Sequence, residues 1–201
     1  MKPCRPQLLS KTISQILSQS FSRLICGILT LSLTACATDS NLTAGVSDTC
    51  GSLQSIIRDY DTEFITLRGP GTHYRLMTLY RAETELIRGH CEVWSWAGGD
   101  RAYVCSANAP NEDIAQIRYQ KSLNFVQQCL KEGWESDTLE QTRDGEYIGI
   151  ATRFTSKAHP GMVVSVQNIV SPTAYRQLHS NYLFIGSTRR SPTHQQQAPQ
   201  Q

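Results

Sequence analysis

Thiols are the side chains here best suited to covalent chemistry, and five of the seven cysteines stand at Cys36, Cys50, Cys91, Cys105 and Cys129. Metal ligation, nucleophilic catalysis and oxidation to disulfides are the chemistries to weigh. Zinc sites pair thiolates at CxxC spacing; none occurs, and His90 beside Cys91 is an isolated neighbour. A catalytic thiol or hydroxyl needs a base within hydrogen-bond reach. His73, His90, His159, His179 and His194 fall in expected turns, element ends or the tail, and no local spacing brings a serine or cysteine to them. GxSxG, HExxH, P-loop and strand-linked GxGxxG patterns are also missing. Asp59-Tyr60-Asp61-Thr62-Glu63 begins like a calcium loop, but it lacks the glycine at position six and reads as the solvated face of a helix. No enzymatic activity, metal or cofactor is expected, which leaves disulfides.

Disulfides require an oxidising compartment, and the N-terminus supplies the address. Residues 1–35 carry Lys2, Arg5, Lys11 and Arg23 with no acid, and end in the apolar stretch Leu24 to Ala35. A basic region followed by an apolar region is a targeting signal. Twelve residues are too few to span a bilayer, which takes about 20 as a helix. Leu33-Thr34-Ala35-Cys36 resembles the lipobox of bacterial lipoproteins. The resemblance implies cleavage before Cys36 and acylation of its thiol, and Ala37 in place of Asp implies sorting to the outer membrane. Each buried CH₂ contributes about 0.8 kcal/mol, so several acyl chains hold firmly where one is marginal. Ala35-Cys36-Ala37 also fits an ordinary secretory cleavage site, which would leave a soluble protein with the same four later cysteines. The Ser-rich, acid-free leader resembles a mitochondrial transit peptide too, but its continuous apolar stretch argues against that reading. The expected organisation is a lipoprotein signal over 1–35, a polar tether over 36–48, one domain over 49–188 and a disordered Gln/Pro-rich tail over 189–201.

Pairing of the four remaining cysteines follows from local pattern. In residues 91–105, two β-rich runs flank Ala97-Gly98-Gly99-Asp100, a hairpin turn. Folding there sets Cys91 opposite Cys105 and Val93 opposite Tyr103, which leaves Cys50 for Cys129. Leu53, Ile56, Ile57, Tyr60, Phe64 and Leu67 form a helical stripe with Cys50 at its edge. Ile114, Tyr119, Phe125, Val126 and Leu130 form another that includes Cys129, with acids at its start and Lys131 and Gly133 at its end. Leu76, Leu79, Tyr80 and Ile87 suggest a further helix ended by Gly89. Runs 146–155, 162–170 and 181–186 have strand character, and short connections favour antiparallel pairing. The fold class is α+β: an antiparallel sheet of about five strands with helices packed on one face and two disulfides.

The chain has 19 basic and 17 acidic residues, but all four charges of the leader are basic, so the remainder is slightly acidic. That excludes the basic footprint of a nucleic-acid binder. Trp94 and Trp96, two apart on a strand, share one face of the hairpin and are a candidate recognition surface. Alternation does not say whether that face is outer or core. Arg75, Arg81 and Arg88, mixed with Glu83 and Glu85, read as a solvated helix face. The expected function is that of a non-enzymatic envelope lipoprotein facing the periplasm, tethered to the membrane through its N-terminal lipid and binding another envelope protein. The alternatives are a binder of a small apolar or lipid ligand and a small hydrolase with a site assembled from distant residues.

Overall fold

The computed structural model describes residues 46–87, 91–172 and 177–191. Cys36 and the leader lie outside them, as do Arg88, His90 and His194. No described helix is long and apolar enough to cross a membrane.

Two four-stranded meanders make one antiparallel sheet. The first comprises β1 (Arg68–His73), β2 (Met77–Ala82), β3 (Cys91–Trp96) and β4 (Arg101–Ala109), and the second β5 (Trp134–Arg143), β6 (Glu146–Ser156), β7 (Met162–Pro172) and β8 (Gln177–Ser187). Their order is β1-β2-β3-β4-β8-β7-β6-β5. Helix α2 (Glu112–Cys129) carries the chain from β4 to the far edge at β5, and helix α1 (Thr49–Asp59) precedes β1. Both helices carry a side-chain cap at the N-terminus. Asp48 accepts the Gly51 N–H, and Asn111 accepts the Ile114 N–H ahead of Glu112 and Asp113.

Leu53, Ile56 and Ile57 of α1 join Tyr119 and Val126 of α2 over Val93, Tyr103, Val164, Leu183 and Ile185 of the sheet. Both helices thus cover the same face. Polar groups beneath α2 fix its seat: Tyr119 and Thr152 hydroxyls are 2.6 Å apart, and Asn181 Nδ2 donates to Ala115 O at 3.0 Å. Disulfides join Cys91 to Cys105 and Cys50 to Cys129. Cys91 and Cys105 are direct cross-strand partners, as are Val93 and Tyr103, in the register expected from the turn. The Tyr103 hydroxyl donates to Thr84 O and accepts the Leu86 N–H, holding the segment after β2. Burial pushes that hydroxyl well above its ordinary value, partly offset by the Leu86 bond.

The α+β class holds, but the sheet has eight strands rather than about five. The expected helix around Leu76, Leu79 and Tyr80 is strand β2, which pairs with β1 and β3. Six residues between turns contain too few periods to separate spacings of two and 3.6. Strands β1 and β5 had no expected counterpart. The first helix stops at Asp59 and gives way to two 3-10 turns, because Glu63 and Phe64 adopt left-handed backbone with φ of 59° and 57°. Asp59 accepts the hydroxyls of Thr62 and Thr66, so its run serves these turns and is no continuous helix face. The domain also continues past 188: Thr188–Arg190 form a 3-10 turn, so the first residues assigned to the tail belong to the fold.

Candidate ligand-binding groove

Strand alternation puts Trp94 and Trp96 on the sheet face away from the helices, since Val93 and Tyr103 lie in the helix-covered core. There the tryptophans pack with Tyr182 on a floor of Ala102, Val104, Val163 and Phe184. This settles the orientation that alternation alone leaves open. Trp94 donates its Nε1–H to Glu92 Oε2 at 2.8 Å, and its ring meets Trp96 edge-on, with centroids 5.8 Å apart. Both rings remain half-buried.

A groove of about 500 Å³ opens on this face, and residues from β3 and β5 both line it. These strands are five positions apart in the sheet, which in a flat sheet would separate them by about 24 Å. The sheet must therefore curl about this face. A β-bulge assists: Gln141 and Thr142 are consecutive in β5 but oppose Gly149 and Tyr147 in β6, leaving Ile148 as the extra residue. Bulges bend a strand and re-aim a side chain, and Ile148 lines the groove.

The rim is built by the chain leaving β8. Ser187 caps the Thr188–Arg190 turn by accepting the Arg189 N–H. Asp100, from the β3–β4 turn and 8% exposed, accepts Arg189 Nη2 at 2.7 Å and Arg190 Nε at 2.9 Å. Arg190 in turn lies over Trp96, 5.0 Å from the ring centroid, a cation–π distance. Burial alone would raise the Asp100 carboxyl, but the Arg190 hydrogen bond and the two guanidinium charges outweigh it and hold the carboxyl below its ordinary value. A depressed carboxyl contributes stability that is present above the unfolded value, about pH 4, and is lost as pH falls through the folded one. Asp100→Asn is expected to lower stability by about 1–2 kcal/mol near neutrality. In urea titrations that deficit should shrink as acidification protonates the wild-type carboxyl.

Among the described residues lining the groove, Arg143, Arg189 and Arg190 are the charged side chains, and none is Asp, Glu, His or Cys. Ser191 also lines it, is 6% exposed, and its Oγ has no hydrogen-bond partner among the described residues. Aromatic floor, cationic rim and an unused hydroxyl suit binding, and the lining supplies no general base.

Comparison with protein-family models, curated proteins and solved structures finds no match to the chain. The functional reading therefore rests on the site.

The other residues singled out by sequence are dispersed. His73 Nδ1 lies 3.0 Å from Thr78 Oγ1, His159 stacks on Trp134, and His179 is buried within β8 rather than at a turn. Arg81 pairs with Glu85 at 3.6 Å from a strand, so the helical basic stripe does not form. No cluster of three metal-ligating side chains occurs among the described residues. The sequence reading found Trp94 and Trp96 but missed Asp100, Arg189 and Arg190. The available signal was the Arg-Arg pair directly following a strong strand.

Proposed function

We propose that the protein is a non-enzymatic bacterial envelope lipoprotein that binds a small apolar or lipid-like ligand on the open face of its sheet. Cys36 is the proposed lipidation site, and the proposed location is the outer membrane facing the periplasm. The observation that carries the binding reading is the groove itself. Its volume of about 500 Å³ falls within the range of roughly 300–1,000 Å³ usual for small-ligand sites. Four aromatic side chains, Trp94, Trp96, Tyr182 and Phe184, line it.

Native mass spectrometry of the acylated protein, purified from its own envelope in a mild detergent that is stripped in the gas phase, is expected to show a co-purified mass that is lost in Trp94→Ala/Trp96→Ala. A wild-type spectrum showing the mass of the acylated chain alone would overturn the reading.

A second reading, an envelope protein as partner, is favoured by the β1–β2 tip, where Tyr74 and Leu76 are 58% and 69% exposed. Pull-down by the domain and by Tyr74→Ser/Leu76→Ser separates it from the first, because these substitutions lie outside the groove.

A further inference from the structure

The geometry points to an anionic amphiphile as the ligand: a single apolar chain lying on the aromatic floor, with its acidic head at Arg190, Arg189 and Ser191. This rests on the groove being a ligand site and adds the chemistry of the head. Three observations carry it.

Charge comes first. The lining holds three arginines and, among the described residues, no carboxylate. Asp100 stands behind the rim, and with two guanidiniums on one carboxylate the cluster keeps an excess positive charge.

Donor supply comes second. A guanidinium carries five N–H donors in a fixed fork. Asp100 engages Arg190 through Nε and Arg189 through one Nη, so each retains donors for a second oxyanion. Asp100 thereby orients both arginines instead of saturating them. The stacking of Arg190 on Trp96 places the cation directly beside the apolar floor, where a head and the start of its chain would meet.

Third, Ser191 Oγ is a polar atom in the groove wall, nine-tenths buried in its residue and unpartnered among the described residues. Buried polar groups ordinarily find a partner; an oxyanion held by the adjacent arginines would accept from this hydroxyl. Carboxylate and phosphate monoester heads share this chemistry.

The test uses four probes of one chain length, below their critical micelle concentrations: dodecanoate, dodecyl phosphate, dodecan-1-ol and dodecyltrimethylammonium. Binding is read by tryptophan fluorescence and native mass spectrometry on the domain with both disulfides intact. At least one anion is expected to bind about tenfold or more tightly than the alcohol, as charge-assisted hydrogen bonds imply, and the cation to bind more weakly than the alcohol. Whichever anion binds better identifies a fatty acid or a phosphate-headed lipid as the source. Arg190→Gln is expected to reduce the anion-to-alcohol ratio severalfold. Ser191→Ala, which removes a hydroxyl without a partner among the described residues, serves as the second variant should the first melt early. Equal binding of alcohol and anions, or ratios unmoved in both variants, would overturn the anion assignment while leaving an apolar groove. Failure of all four probes to bind would overturn the groove reading as well.

Discussion

Gly149→Ala should be among the most damaging single substitutions in the domain, lowering stability by about 3–5 kcal/mol. Gly149 has φ of 143°, and a Cβ built there would lie 2.0 Å from Asn168 O and 3.0 Å from Ile169 Cα on the neighbouring strand. The angle is one that L side chains adopt only under strain of order 1–3 kcal/mol. The obstruction is backbone, which no rotamer change can relieve. Strands β6 and β7 would have to part where Gly149 faces Ile169, and the adjacent bulge that turns Ile148 toward the groove would shift with them. At about 2–4 °C per kcal/mol for a chain of this size, the melting temperature should fall by roughly 6–20 °C. A variant melting within about 3 °C of wild type would show that the two strands separate there at little cost.

Removing the Cys50–Cys129 disulfide by a double serine substitution is the second large effect, expected at about 2–4 kcal/mol. Its half-cystines are 79 residues apart, against 14 for Cys91–Cys105. In the chain-entropy account the longer closure restricts the unfolded chain more, by about 1.5 kcal/mol between these lengths. Denaturant titrations of the two double-serine variants should therefore rank the long-range bridge as the more stabilising. The reverse order would mean that native-state interactions at the hairpin, including the Tyr103 hydroxyl network beside it, dominate the difference.

What sequence disclosed and what it hid divide along the range of the interactions. The β3–β4 hairpin was legible because two β-rich runs flank a turn whose Gly99 adopts φ of 90°. Its register then set Cys91 against Cys105. Helix α2 was legible from acids in the first turn and an apolar stripe. Strand β5, with the sequence WESDTLEQTR, has a single buried apolar side chain, Leu139, so this edge strand left almost no alternation to detect. The stripe running on to Phe64 and Leu67 misled because 3-10 turns also bring residues three apart together. Phe64 and Leu67 are buried as that stripe required, but on a backbone that has left the helix.

The groove was legible only in its aromatic half. Trp94 and Trp96 share a strand, so alternation pairs them. Asp100 and Arg190 are 90 residues apart in sequence and meet only because β8 lies beside β4. Composition near Arg189 resembles the polar tail that follows, and beyond the Arg-Arg pair itself nothing local distinguishes residues pinned by a distant carboxylate.

The bridge between the two helices also has a mechanical consequence. Cys50 is the second residue of α1, and Cys129 is the last of α2. Tension arriving along the chain from upstream passes through sulfur into α2 almost as soon as it reaches the domain, so α1 is bypassed as a point of peeling. Load is delivered instead to a long helix seated across the central strands β4, β8 and β7, where many contacts must yield at once. A globule held by a leash at its amino end would thereby resist unzipping from the side on which it is pulled.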